Sequence, residues 1–439
     1  MSCSARRAST DCIAGRNVLK HPSLFNRKVL AWAFYDWANS AFALSVLAVL
    51  FPLFLGSYWS AGDSGAAVTA RLAWITAASS AVVCIIAPVF GTIADAGGYR
   101  KRFLFLLATT GAVATVILAG VDKGNWPVAL ALYLVASVGF YSSTVFYDSL
   151  IIDVAEPRYY SFVSSLGFSL GYLGGAVLLA MHVWMLLAPE KFGFSTTDEV
   201  IRFAFVTVGL WWAIFMLPLM IFVPERHSRV EVAGSVVRAA YGELKSTILK
   251  IGQYRNVVIF LIAYWLYIGG VFTVIFMAVN YGQRLGFGQQ DLVTALLITN
   301  FAGFPATLLY GVAGHRWGPK RGIYFALIVY VIMSTWAIFM VDVRQFYIMA
   351  IVIGCVQGGV QGLSRSLYAA LIPPDAPGEF FGFYNMLTKF AHVLGPMLVG
   401  IAATLSDDPK WVLLTLLPLF IGGGMLLAVV REKQAKRVT

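Results

Sequence analysis

The sequence predicts an all-α membrane protein, with twelve transmembrane helices in two pseudo-symmetric six-helix bundles. Three observations carry that expectation. Of 439 residues, 59% are hydrophobic and 12% charged, with a mean hydropathy of +0.78, far more apolar than a soluble domain. Apolar runs of roughly 20 or more residues recur along the whole chain, each about the length that spans a hydrocarbon core of ~30 Å. Two loops and two helix ends also repeat at corresponding places in the two halves.

In chain order the runs cover residues 29–57, 69–93, 103–121, 127–152, 161–188, 200–223, 257–282, 292–313, 322–341, 345–372, 380–404 and 411–430. None shows the strict alternation of a barrel strand. In hydrocarbon each backbone N–H must find its acceptor within the segment, so each run reads as a helix. Residues 1–28 form a polar, basic tail, and the run after it is too long for a cleaved signal, so no processing is expected. The first bundle is expected at 29–223, a linker at 224–256, the second bundle at 257–430 and a short tail at 431–439. Val232, Val236, Val237, Leu244, Ile248 and Leu249 give the linker a ragged apolar face that suits a surface helix.

Charge placement sets the orientation. With both termini and every second loop on one side, that side holds about 23 Lys and Arg residues and the other about 7. The positive-inside rule then puts both termini in the cytoplasm. The formal charge of +11 follows from this asymmetry, and basic loops against anionic lipid heads explain it without nucleic acid. Cys3, Cys12, Cys84 and Cys355 have no ligand or disulfide spacing, so neither a metal site nor a cofactor is expected.

The repeat is local and readable. "GTIADAGGYRKR" (Gly91 to Arg102) follows the second run, and "GVAGHRWGPKR" (Gly311 to Arg321) follows the eighth. Each has a glycine, a second glycine seven residues on, and a basic pair after one more residue. "YDSLI" (Tyr147 to Ile151) ends the fourth run and "SRSLY" (Ser364 to Tyr368) ends the tenth. Superposing Ser149-Leu150 on Ser366-Leu367 sets Asp148 opposite Arg365.

With these motifs the chain resembles the major facilitator superfamily, whose loop between helices 2 and 3 carries a G-x-x-x-D…G…R-K signature. Here Gly91, Asp95, Gly98, Arg100 and Lys101 occupy it, with one extra residue between Asp95 and the basic run. Within the superfamily it resembles the unknown-major-facilitator group that includes a yeast vacuolar amino-acid effluxer of autophagy. That likeness rests on "FYDWANSAF", "GFSLGYLGG", "QGGVQGLSRSLYAALIP" and "EFFGFYNMLTKFAHVLGP". Where the family often has an acid before a glycine in helix 7, this chain has Gly269 in "YIGGVFT". The resemblance implies helices 1, 4, 7 and 10 around a central cavity. It also implies an Asp95 that accepts N–H groups at a neighbouring helix's N-terminus, and helices 2, 5, 8 and 11 between the bundles.

An ionisable residue within a spanning helix costs about 2.5–3.5 kcal/mol on insertion scales, so such residues mark a pathway or a paired lock. Asp36, Asp148, Arg365 and Lys389 are the candidates, with His392 near Lys389. Rise per residue sets them all in the half of the membrane nearer the termini. Three readings stay open: a gate that pairs carboxylates of one half with cations of the other, contacts to both ends of a zwitterionic substrate, or permanent pairing within each half. Tyr35, Asn39, Gln357 and Gln361 are candidates for hydrogen bonds to a polar ligand or between helices. Asp36 is the candidate for proton coupling.

Gly167, Gly171, Gly174 and Gly175, together with Gly303, Pro305, Gly311 and Gly395-Pro396, are expected to let the bundles rock across their shared face. The function expected is secondary transport of a small polar metabolite, amino acids first, with export of amphiphilic drug-like compounds as the alternative. A membrane enzyme would use clustered carboxylates or histidines, which the sequence does not show, and a non-transporting receptor or scaffold, the alternative of another class, would be expected to add a folded extramembrane domain. A monomer in a bacterial plasma membrane, with lipid, substrate and protons as partners, completes the expectation.

Overall fold

The computed structural model describes residues 25–225, 251–405 and 413–432. Among the described residues all regular structure is helical. The helices are α1 (Arg27–Trp59), α2 (Gly65–Gly97), α3 (Arg100–Leu118), α4 (Trp126–Ser149, extended by a turn at Ile151–Val154), α5 (Tyr160–Leu187) and α6 (Thr197–Phe222). After the linker come α7 (Arg255–Arg284), α8 (Gln289–Trp317), α9 (Pro319–Trp336), α10 (Val343–Leu371), α11 (Pro377–Leu405) and α12 (Leu417–Val429). Ten of them are long and apolar enough over described residues to cross a membrane.

Several helices start before the apolar run does, because a polar cap sets the start. Asn26 Oδ1 accepts the Val29 N–H (2.9 Å), Ser64 Oγ that of Ala67 (3.3 Å), and Thr196 Oγ1 that of Glu199 (3.2 Å). Each satisfies a donor that the first helical turn leaves free. In α1 the turns widen to π geometry over Phe42–Leu50 and Leu55–Trp59, on either side of Pro52, which has no N–H to give the ladder.

Within the first bundle α3 packs on α4 and α6, α1 on α5 and α6, and α2 on α4; in the second α8 packs on α10, α7 on α11 and α12, and α9 on α10. Across the bundles α5 meets α8 and α10, while α11 meets α2 and α4. Outward faces keep large apolar side chains exposed, among them Trp74, Ile85, Leu309, Phe325 and Met425, as surfaces solvated by lipid do.

One expectation needs correction. The α5 glycines do not face the second bundle. A Cβ at Gly171 would meet Ser40, at Gly174 it would meet Trp37, and at Gly175 the Ser40 carbonyl, so this stripe seats α1 within the first bundle. The cross-bundle face of α5 is rotated from it and carries serines: Ser161 pairs with Ser366 (3.2 Å), Ser164 Oγ donates to the Gly362 carbonyl (2.8 Å) and Ser169 Oγ to that of Phe304 (2.6 Å). On α8 the expectation holds in space, since Gly303 lies against Tyr172 and Gly311 against Phe162 and Ser165. The linker's apolar face and the Gly395-Pro396 side chains lie outside the described residues.

Candidate functional site

Three of the four intramembrane charges meet. Arg365, on α10 and 2% exposed, reaches out of the second bundle into the first. Its Nη1 donates to Asp148 Oδ1 at 2.9 Å and its Nη2 to Asp36 Oδ2 at 3.3 Å. Its Nε donates to Ser164 Oγ (2.8 Å) and Nη2 again to the Ser164 carbonyl (2.9 Å). The carboxylates have further donors: Tyr147 Oη gives to Asp36 Oδ2 (2.7 Å) and Asn385 Nδ2 to Asp148 Oδ2 (3.1 Å). A buried charge cluster is tolerable only when its donors and acceptors are met this fully.

Aromatic faces close the guanidinium in. Its Cζ stands 4.8 Å from the Trp32 ring centre, 5.3 Å from that of Tyr147 and 4.2 Å from that of Phe168, all within cation–π range. Trp32 stacks on Tyr147 (4.5 Å) and donates its indole N–H to the Tyr147 carbonyl (2.9 Å). Gly167 makes room, since a Cβ there would lie 2.6 Å from Asp36 Oδ2 and 2.8 Å from Tyr147 Oη. Helical spacing builds the site: Trp32, Asp36 and Asn39 share the buried face of α1, and Tyr147 and Asp148 close the last turn of α4.

The other expected residues are distributed around this cluster. The Tyr35 hydroxyl donates to Ser143 Oγ (2.9 Å) within the first bundle. Gln361 accepts a long 3.5 Å bond from Tyr172 Oη across the bundles, and Gln357 is buried on the same helix. Lys389 does not join the triad. It is buried on α11, over the ring of Tyr141 on α4, and its Nζ has no hydrogen-bond partner among the described residues. Helical depth alone had set it beside the others; the direction in which its side chain leaves α11 separates them. The His392 side chain lies outside the described residues.

A second polar cluster occupies the α2–α3 turn. Gly98 ends α2 at φ 63°, a left-handed conformation that glycine adopts without strain. Asp95 Oδ2 accepts the Glu379 N–H at the start of α11 (2.8 Å), where unpaired helix N–H groups favour an anion. Gly91 lets α2 approach close to the Gly378 carbonyl. Arg100 then ties three acids together: Asp153 at 2.7 Å, Asp95 at 3.7 Å and Glu225 at 3.8 Å. Lys101 Nζ caps the end of α6 through the Met220 (2.9 Å) and Val223 (2.6 Å) carbonyls.

Sequence reasoning did not assign Trp32, Tyr147, Phe168 and Ser164 to the triad, nor Asp153 and Glu225 to the turn. The signal was available for Trp32, one helical turn before Asp36. Asp153 and Glu225 are far from Arg100 in sequence, and nothing local pairs them.

The human organic anion transporter MFSD10 (TETRAN) superposes with a TM-score of 0.72 at 17% identity, covering 91% of this chain and 99% of its own. The chain is 34% identical to an uncharacterized MFS-type transporter YxiO of Bacillus subtilis (strain 168), over 94% of this chain and 97% of that one. Autophagy-related protein 22 of Yarrowia lipolytica is 25% identical over 62% of this chain and 51% of its own. Two helical bundles that share a buried charge cluster, with these relatives, define a transporter of the major facilitator superfamily. The model of a family described as vacuole effluxer Atg22 like matches residues 64–158 and 152–439, and the chain belongs to that family.

Proposed function

We propose that this protein is a secondary active transporter that moves a small polar metabolite by alternating access, with the bundles at 29–223 and 257–430 as its two moving bodies. The reading rests on one observation: a guanidinium of the second bundle is held by two carboxylates of the first. Such a contact exists only while the bundles meet at this depth. The cross-bundle bonds described above reach from the ends of α5 and α8 that carry the turns to about mid-depth, so they close one mouth of the pathway. With both termini cytoplasmic, as the Lys and Arg asymmetry supports, the closed mouth is the cytoplasmic one.

Amino acids are the first substrate class, because the site carries both signs of charge and because the family description names an effluxer. A bacterial plasma membrane suits the match to the Bacillus relative, and a monomer is the oligomeric state proposed. Asp36 is the group assigned to proton coupling, and pH-driven uptake in proteoliposomes should collapse in Asp36→Asn. Uptake that survives would remove protons from the mechanism.

The gate is tested by transport of a labelled metabolite panel in Asp148→Arg, Arg365→Asp and the double swap. Breaking a buried pair from one side costs about 3–5 kcal/mol, so each single change should cut transport on the order of 10-fold or more. The double swap should recover a measurable part. A swap no better than its parents would exclude direct pairing as the lock.

A further inference from the structure

Every polar and aromatic contact described for the Arg365 guanidinium comes from the first bundle. Its two carboxylate partners, Asp36 and Asp148, sit on α1 and α4, its serine on α5, and its rings, Trp32, Tyr147 and Phe168, on α1, α4 and α5. The first bundle therefore contains a complete receptor for an organic cation: two anions, a hydroxyl and a carbonyl that accept hydrogen bonds, and three ring faces. Arg365 is the occupant that the second bundle supplies.

We propose that this receptor is the substrate's cation subsite, and that Arg365 is a built-in stand-in which leaves when the bundles part. The proposal rests on the alternating-access reading above and assigns the chemical class: a solute bearing an ammonium or guanidinium group, whose charged end is read by the first bundle. The physical argument is one of compensation. When Arg365 withdraws with α10, it leaves two neighbouring carboxylates facing each other in a partly desolvated, aromatic-walled recess. Like charges so placed repel, and although Tyr147 still donates to Asp36, neither carboxylate keeps its cation. An incoming cation meets both carboxylates and the π-faces at once, as in aromatic cages that recognise ammonium groups. Substrate and Arg365 then compete for one place, so substrate binding favours the parted state and its release lets the lock reform.

The stand-in idea also explains why two acids serve one base. A lock alone is met by one carboxylate against one guanidinium. Asp36 and Asp148 accept from different nitrogens of the same fork, an arrangement that an alkylammonium or guanidinium reproduces with its own spread of N–H donors.

The test empties the subsite and refills it. Purified full-length Arg365→Ala is titrated with methylguanidinium, and with methylurea as its neutral counterpart, and thermal unfolding is followed. Methylguanidinium should raise the unfolding temperature saturably in the millimolar range, at least ~10-fold more effectively than methylurea. The gain should vanish in Arg365→Ala/Asp148→Asn and should be smaller in the wild type, where Arg365 competes. If Arg365→Ala does not fold, Arg365→Gln, neutral but long enough to fill space, serves the same titration. In wild-type proteoliposomes methylguanidinium and tetramethylammonium should inhibit uptake of a transported member of the metabolite panel, and methylurea should not. Equal effects of methylguanidinium and methylurea, or no inhibition by either cation, would overturn the proposal. A double swap that restores the gate while the cations do nothing leaves the lock standing and sinks the subsite. Cation binding without rescue by the swap does the reverse.

Discussion

The α2–α3 and α8–α9 turns are copies of one another that perform one task with different strengths. Both use a lysine to cap the last helix of their bundle. Lys101 Nζ binds the Met220 and Val223 carbonyls (2.9 and 2.6 Å), and Lys320 Nζ those of Ala428 and Val430 (2.9 and 2.7 Å). Both place a glutamate on the N-terminus of the following helix, Glu225 on the Arg100 N–H (2.5 Å) and Glu432 on that of Lys320 (3.0 Å). They part company four residues after the first glycine, where one turn has Asp95 and the other His315. Asp95 grips an N–H of the opposite bundle's α11, whereas His315 Nδ1 meets the Arg158 carbonyl just before α5 (2.8 Å) and stacks on Tyr159. One grip is a charge on a helix N-terminus, backed by Arg100 and largely buried; the other is a single imidazole-to-carbonyl bond at the rim. The lesson is that the shared scaffold of each bundle is duplicated, while the hold across the bundles is not.

The largest effect should come from breaking the strong grip. Asp95→Ala leaves the α11 N–H unmet and the buried Arg100 with one acid fewer, and should cost about 2–4 kcal/mol in thermal or denaturant unfolding of the purified protein. A cost near zero would mean that the turn does not hold the bundles. Next, Lys101→Met and Lys320→Met should each lose about 1–2 kcal/mol, by similar amounts, since both remove charged donors from helix C-terminal carbonyls. Losses that differ several-fold would break the claim that the caps are equivalent. His315→Ala should cost about 1 kcal/mol or less by the same measurement.

Glu225 gives the smallest and most specific effect. Burial pushes its carboxyl above the ordinary value, against the pull of Arg100. The folded protein thus holds that proton to higher pH than the unfolded chain. Its contribution is most favourable in acid and is lost as pH rises from the ordinary carboxylate range through the raised value. Glu225→Gln, which cannot ionise, should flatten that part of the stability–pH curve. An unchanged slope would show that the group does not titrate there.

The same contrast explains what the sequence made legible. The spans were readable because lipid forces every helix into a long apolar run, and the caps moved their ends by only a few residues. The Asp148 and Arg365 pairing was readable because the repeat places them at one register, and pseudo-symmetry carries one register to one depth. Orientation about a helix axis was harder to read. The α5 glycines were expected at the shared face and Lys389 beside the carboxylates; the Cβ direction turns the glycines toward α1, and Lys389 crosses to the ring of Tyr141 on α4 and meets no acid there. The aromatic wall was missed for a related reason: in a chain with 12 Trp, 20 Tyr and 32 Phe residues, three more rings give no signal until a cation stands among them.

The central claim, that the turn-bearing mouth must part in each transport cycle, is tested most directly by tying it shut. Ser161 on α5 and Ser366 on α10 have their hydroxyl oxygens 3.2 Å apart across the bundles. In a background without the native cysteines, Ser161→Cys/Ser366→Cys should crosslink on oxidation, abolish transport in proteoliposomes and regain it with reductant. Full transport by protein shown to be completely crosslinked would contradict the account.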